Sequence, residues 1–307
     1  RTDRLSFERQ AATLDVLGEL TALYIRSIST QEYIHLAEEA VALSERMLKT
    51  VEERAAKAAA PEAEVMRAKA AVTRASIRLQ SLHASFDRQK VALSSFWGST
   101  NPRFAELHGS LSTFAASDNF ASLFQRAKNS PAVAIFASEA RLKDAEVKLA
   151  QAQSGVDIGW QLGVRRFEET DDTALTASIS IPLFSGKRNR GAVASALAER
   201  NAVGYQQADA MLKLHNRLFT AFSQREENAA VVEQFSSQVL PALQQALVLT
   251  QEAYEKGRYR YQDWIVAQEE LLTAKQQRIE AATAAQLSQA LIEQLTAEPL
   301  TTNALTN

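Results

Sequence analysis

Residues 156–184 have the sequence VDIGWQLGVRRFEETDDTALTASISIPLF, in which apolar and polar side chains alternate on either side of an acidic segment. Alternation with a period of two predicts two β-strands joined by a turn, each with an apolar and a polar face. Each arm has about the 9–11 residues that cross a bilayer as a tilted strand. Glycine and charge on the polar face suit a water-filled lumen. A two-stranded hairpin that caps a helical bundle accounts for the alternation equally well.

The apolar face of this hairpin is the surface that would meet lipid. Five residues are predicted on it: Ile158, Trp160, Leu162, Ile179 and Ile181. Gln161, Ser178 and Ser180 are predicted on the opposite face, because neighbouring strand residues point to opposite sides. For Trp160, packing against a neighbouring protein segment is the alternative to lipid contact.

The composition of the 307-residue chain excludes several classes of function. The net charge of −2 argues against nucleic acid as a main partner, and the absence of cysteine excludes disulfides and thiolate chemistry. No apolar run approaches the roughly 20 residues of a transmembrane helix, and no signal peptide is recognisable. Since Arg1 lies within a helical pattern, we expect the chain to be a mature or truncated product.

The sequence gives no indication of a metal site, a cofactor or an enzymatic activity. The four histidines, His35, His83, His108 and His215, are scattered, with no cysteine or clustered carboxylates beside them. No Ser-His-Asp order, glycine-rich phosphate loop or nucleotide motif occurs.

Nearly all of the remaining chain has helical periodicity. In one stretch the apolar residues are spaced alternately by three and four, as in Val65, Ala68, Val72, Ala75 and Leu79, which predicts a left-handed supercoil. The predicted fold is therefore mainly α, with long antiparallel coiled-coil hairpins and one β-hairpin. The predicted division is 1–97 (first helical hairpin), 98–130 (connector), 131–155 (helix), 156–184 (β-hairpin), 185–297 (second helical hairpin) and 298–307 (flexible tail).

The two helical hairpins align with each other without a gap at an offset of 199 residues. Lys57 then corresponds to Lys256, Ala58 to Gly257 and Glu64 to Asp263. The hairpins are therefore predicted to be one structural unit used twice, with both turns at the same end of the bundle.

Four further stretches resemble the outer-membrane efflux protein family, the channel-tunnels of Gram-negative tripartite pumps. They are Asn-Ser-Pro-Ala-Val at 129–133, Ile-Pro-Leu-Phe at 181–184 followed by Gly-Lys-Arg-Asn-Arg-Gly at 186–191, Val-Leu-Pro-Ala at 239–242, and Ala-Tyr-Glu-Lys-Gly at 253–257 with Asp263 and Ala267-Gln268. The segment 163–170, Gly-Val-Arg-Arg-Phe-Glu-Glu-Thr, is most similar to the cobalt–zinc–cadmium branch of the family.

The resemblance implies a homotrimer in the outer membrane and periplasm, with a twelve-stranded barrel above a helical tunnel. It implies a passive export duct, for heavy-metal cations in this branch, which works with a periplasmic adaptor (membrane fusion) protein and an inner-membrane pump. This chain has one strand hairpin where the family has two per protomer. The rival interpretation is a periplasmic coiled-coil structural protein that forms no pore.

Candidate functional residues follow from the same resemblance. Tyr254, Arg258 and Asp263 match the tunnel gate at the periplasmic tip, although a helix N-terminal carboxylate is an alternative role for Asp263. Lys57, Lys256 and Gly257 are candidates for the adaptor contact, with helix capping as their alternative. The strand-to-helix junction contains Pro182, Gly186, Lys187, Arg188, Arg190 and Gly191, whose cations would meet lipid phosphates or begin a solvated helix.

Overall fold

Helices account for most of the chain, as the periodicity predicted. The computed structural model describes residues 2–114, 116, 118–153, 158–169, 171–181 and 189–298. The helices are α1 (Thr2–Ala56), α2 (Glu62–Ser95), α3 (Phe120–Lys128), α4 (Pro131–Gln153), α5 (Arg190–Gln234), α6 (Leu240–Glu255) and α7 (Tyr261–Thr296), and the strands are β1 (Gly159–Phe167) and β2 (Asp172–Ser180). The predicted fold class is confirmed, whereas the division into six segments stays a prediction.

The β-hairpin has the predicted alternation. Its antiparallel strands pair Trp160 with Ile179 and Leu162 with Ala177, while Gln161 pairs with Ser178. Directly opposed residues share a face of the sheet, so the apolar and polar residues separate as expected. Ile158 and Ile181 lie just outside the paired residues.

The apolar face of the hairpin is exposed. Trp160, Leu162 and Ile179 keep 75%, 71% and 73% of their surface accessible, so no described part of the chain covers them. Val156, Pro182, Gly186, Lys187 and Arg188 lie outside the described residues.

The long helical stretch formed by α5 and α6 contains one wider helical turn, just before Pro241. A π-helical segment, Phe235–Val239, separates α5 from α6, and the N–H of Leu240 donates to the oxygen of Phe235. Pro241 lacks the N–H that an α-helix would use at this point. The helix is therefore irregular here, with a π-turn that precedes the proline.

The chain divides into two compact units, and one comprises Ala12–Ala127 with His215–Asn307. Its core lies along α1 and α7, where buried Met47, Val51 and Leu271 pack together. Polar side chains cross the same interface, with Gln268 donating to the Ser44 hydroxyl at 3.3 Å. The connector is held by Gln31, whose amide both donates to and accepts from the Leu107 backbone at 3.1 and 3.0 Å.

The other unit comprises Arg1–Ala11 and Lys128–Leu214 and contains the β-hairpin. Its helices are joined by ion pairs: Lys143 lies 2.7 Å from Glu199, and Arg200 lies 3.0 Å from Asp144. Such exposed pairs contribute little stability each, and they mark the turns of α4 and α5 that face each other.

Candidate functional site: the turns that join the long helices

The two turns, 57–61 and 256–260, share a pair of backbone hydrogen bonds. In the first, Ala58 N–H donates to Ala55 O at 2.9 Å, and Ala59 N–H donates to Arg54 O at 2.8 Å. In the second, Gly257 donates to Tyr254 O at 2.9 Å and Arg258 to Ala253 O at 2.8 Å. Each residue in the second turn has a number 199 higher than its equivalent in the first turn. Both turns end a helix with a left-handed residue, Ala58 at φ 55 and Gly257 at φ 71, as a Schellman cap requires.

Arg54 joins the two turns, so they lie at the same end of their hairpins. One terminal nitrogen, Nη1, donates to the carbonyl oxygens of Tyr254 at 2.5 Å and Glu255 at 3.0 Å, in the last turn of α6. The other, Nη2, donates to Ala59 O at 3.1 Å. The guanidinium also lies 4.6 Å from the centre of the Tyr254 ring. A planar cation with several donors suits this task, because helix C-termini leave carbonyls without partners.

The carboxylates after the two turns have different partners. Asp263 accepts a hydrogen bond from the backbone N–H of Arg260, the N-cap of α7, at 2.9 Å, which is one half of a capping box. At the equivalent position in α2, Glu64 follows an N-cap that is Pro61. Proline has no N–H to offer. The Glu64 carboxylate instead accepts the Tyr254 hydroxyl at 3.0 Å and thereby links α2 to α6.

The electrostatics follow from these contacts. The backbone N–H of Arg260, together with its guanidinium, holds the pKa of Asp263 below its ordinary range. Burial, followed by the hydrogen bond to Glu64, raises the pKa of Tyr254 well above that of a free tyrosine. Burial also raises the pKa of Tyr261, whose hydroxyl has no hydrogen-bond partner in the part of the chain that the structure describes.

The structure separates the residues predicted at this site by exposure. Lys57, Lys256, Gly257 and Arg258 are exposed at the turns, where a partner could reach them. Tyr254 is only 2% exposed, because its ring packs on Trp264 at 5.3 Å, so within this single chain it lines no open surface. The gate and adaptor roles stay predictions.

Sequence reasoning missed Arg54 and Glu64 as members of the site. The signal that could have indicated them is a difference between the repeats, since Arg54 corresponds to Ala253 and Pro61 to Arg260. The junction cation Arg190 is the first residue of α5, and Gly191 follows it with open space around its Cα.

The described residues contain neither a metal-binding cluster nor a membrane-spanning helix. Among the described residues, no group of three or more His, Asp or Glu side chains is arranged to hold a metal ion. None of the described helices has both the length and the hydropathy that a membrane span requires.

Comparison with known proteins identifies the family. The model of the family "Outer membrane efflux protein" matches residues 124–298, more than half of the chain. The chain belongs to the outer membrane efflux protein family. The predicted resemblance is confirmed, and membership places the chain in the outer membrane and periplasm of a Gram-negative cell. The family is one of transport channels.

Among individual proteins, the chain is similar to the cobalt-zinc-cadmium resistance protein CzcC of Cupriavidus metallidurans. The two are 26% identical over 270 residues, which cover 87% of this chain and 65% of that protein. The chain therefore spans less than two thirds of the length of this relative.

Several solved structures share the fold, including those of VceC and CusC. The outer membrane protein VceC of Vibrio cholerae superposes with a TM-score of 0.81 at 19% identity, over 97% of this chain and 74% of VceC. CusC, whose structures are described as showing transmembrane channel formation, superposes with a TM-score of 0.80 at 15% identity, over 96% of this chain and 71% of CusC.

Proposed function

We propose that this chain belongs to a passive duct that exports solutes across the outer membrane and does no chemistry of its own. The observation that carries the proposal is the exposed apolar face of the β-hairpin, in a chain that belongs to a family of outer-membrane channels. A face with Trp160, Leu162 and Ile179 in water is costly, whereas lipid accommodates it.

Heavy-metal cations are the proposed cargo. The support is the similarity to CzcC, which is named a cobalt-zinc-cadmium resistance protein. The energy for export would come from an inner-membrane pump, linked to a homotrimer of the full-length protein through a periplasmic adaptor.

The test uses the full-length protein and a Gram-negative strain from which its gene has been deleted. Deletion should lower tolerance to Co²⁺, Zn²⁺ and Cd²⁺ and raise the cell-associated metal, and the wild-type gene should restore both. The purified protein should also conduct ions in a planar bilayer. Conductance without any change in metal tolerance would contradict heavy-metal cations as the cargo but would still support an export duct. A lack of conductance would favour the rival, a coiled-coil structural protein of the periplasm.

We also propose that the turns form the gated, adaptor-binding end of the duct. Arg258 and Asp263 would close the tip together with copies of themselves, with Tyr254 supporting them from within the chain. Lys57, Lys256 and Gly257 would contact the adaptor. The geometry supports this proposal because Arg54 and Glu64 hold the two turns together as one end surface.

Asp263 allows the gate to be tested apart from helix capping. Asp263→Asn keeps an oxygen that can accept the Arg260 N–H and removes the charge, whereas Asp263→Ala removes both. If the charge contributes to the gate, both variants should raise single-channel conductance and weaken block by divalent cations. An effect confined to Asp263→Ala would assign the residue to capping alone.

A further inference from the structure

Two tyrosine hydroxyls are buried beside the turns, and within the described residues only one of them has an acceptor. Tyr254 of α6 and Tyr261, the first residue of α7, are each 2% exposed. The Tyr254 hydroxyl donates to Glu64 of α2 at 3.0 Å. The Tyr261 hydroxyl has no hydrogen-bond partner in the part of the chain that the structure describes. Because a buried polar group without a partner is destabilising, this arrangement leaves one favourable hydrogen bond unmade.

The carboxylate that Tyr254 uses is also the acceptor nearest in chemistry to the Tyr261 hydroxyl. The charged side chains that act on this hydroxyl are Glu64, Arg67 and Arg74, which all belong to α2, so the hydroxyl faces α2. Burial, followed by the Glu64 carboxylate, raises the pKa of Tyr261, while the two arginines act in the opposite direction. Arginine has no acceptor atom. Of these three side chains, only Glu64 can therefore accept the hydroxyl proton.

The two tyrosines lie against each other, so one carboxylate can serve either of them. Their ring centres are 6.2 Å apart, and both rings pack in the same apolar core with Val65 and Trp264. Within the described residues, the hydrogen bond from Tyr254 is the one that Glu64 makes. Rotation of the flexible Glu64 side chain from one hydroxyl to the other therefore breaks no further hydrogen bond.

We propose that Tyr261 is a second donor for Glu64, and that the end of the hairpins has two states that differ in which tyrosine makes this hydrogen bond. In the state described above, the bond joins α2 to α6. In the other state it joins α2 to α7, and α6 loses its side-chain link to α2. Each state satisfies one buried hydroxyl and leaves the other without an acceptor. Because the number of hydrogen bonds is the same, the two states are close in free energy.

A role for this exchange in opening the duct rests on the proposed gate, but the exchange itself is defined by hydrogen bonds within one chain. Its test is amide hydrogen exchange in the full-length protein, read by mass spectrometry on peptides that contain the last turn of α6. Those amides become accessible when the end of α6 is released from α2. No conductance is measured, so this test and the test of the gate succeed or fail separately.

The same substitution at the two tyrosines should have opposite effects. Tyr254→Phe removes the bond that holds α6, so the amides of its last turn should exchange about three- to tenfold faster, as expected for one net hydrogen bond. Tyr261→Phe removes the bond that stabilises the released state, so the same amides should exchange about three- to tenfold more slowly. The matched control is Tyr259→Phe, whose ring is 53% exposed and which should change nothing.

The Glu64→Ala protein shows whether the effect passes through the shared carboxylate. In that background Tyr261→Phe should leave the exchange of α6 unchanged, because neither hydroxyl has the acceptor. A slowing that persists without Glu64 would overturn the proposal. Faster exchange in Tyr261→Phe alone would mean that both hydroxyls bind Glu64 at once, and unchanged exchange would mean that the hydroxyl binds water or nothing. Either result would also overturn it.

Discussion

At the scale of single residues, one proline changes the partner of a carboxylate. Glu64 and Asp263 occupy equivalent places after the two turns, but Pro61 denies Glu64 the backbone N–H that Arg260 gives Asp263. The carboxylate of Glu64 is left to accept the hydroxyl of Tyr254. A difference in local capping thus becomes a contact between α2 and α6.

The hydrogen bond between Tyr254 and Glu64 should contribute measurably to stability. Tyr254→Phe removes the hydroxyl and leaves the carboxylate without this donor, which should cost about 1–2 kcal/mol in the free energy of unfolding. The matched control is Tyr259→Phe in the same turn, where the ring is 53% exposed. That exposed change should stay within about 0.5 kcal/mol of wild type. Equal effects in urea unfolding would show that the buried hydroxyl does not stabilise the tip.

The depressed pKa of Asp263 predicts a pH dependence in the acid range. The folded state favours the carboxylate, so its stabilising contribution is present above the unfolded pKa of about 3.9 and is lost as the pH falls through the lower folded value. Asp263→Asn retains an acceptor that does not titrate. The difference in stability between wild type and variant should therefore be constant above about pH 5 and shrink below about pH 4. A constant difference down to pH 2 would contradict the assigned cause.

At the scale of elements, the two turns are both Schellman caps, but they are formed by different residues. Gly257 adopts its left-handed conformation without strain, whereas Ala58 carries a Cβ in the same conformation. The hydrogen bonds of the turn require the left-handed conformation at this position. Ala58 is therefore strained.

Exchanging the two residue types should change stability in opposite directions. Gly257→Ala should cost about 1 kcal/mol, and the cost is conformational because a Cβ would lie 3.8 Å from Arg54 Nη2, an ordinary contact. Ala58→Gly should stabilise by about 0.5 kcal/mol, since relief of strain is offset by a freer unfolded chain.

A glycine in the middle of a helix provides the control for this exchange. Gly204 lies inside α5 with open space around it, so Gly204→Ala should stabilise by about 0.5–1 kcal/mol. Thermal unfolding of the three variants checks the signs. A stabilising Gly257→Ala would contradict the Schellman assignment.

The elements themselves could be predicted largely from the sequence. Strand alternation predicted the faces of the hairpin, because it is a local periodic pattern. The 199-residue offset predicted that both turns lie at the same end, because the two hairpins repeat the same spacing of residues. The contact of Arg54 with the second turn could not be predicted. Its partners are backbone carbonyls about 200 residues away, and every residue type has a backbone carbonyl, so the sequence does not distinguish them. The burial of Tyr254 was missed for a related reason. A motif match shows which family position a residue occupies but does not show whether its side chain is exposed.

At the scale of the whole molecule, the β-hairpin is the part suited to a lipid environment. Leu162 lies in mid-strand on the apolar face, and Gln161 beside it lies on the polar face. If the apolar face meets lipid, Leu162→Arg should destabilise the inserted protein by about 2–4 kcal/mol and reduce its yield in the outer membrane. Gln161→Arg, the matched control, should insert normally and change ion selectivity. Equal insertion of both variants would contradict a lipid contact for this face.

The pairing of β1 and β2 also bears on the order of events during biogenesis. Within the described residues the two strands pair only with each other, so each retains one outer edge without a backbone partner. An isolated two-stranded hairpin is marginal in water, and open edges are not tolerated in hydrocarbon. We therefore expect the strands to mature last, in one step with the arrival of neighbouring strands at the membrane. Until then their amides should exchange with deuterium within seconds, while those of α1 and α7 are already protected.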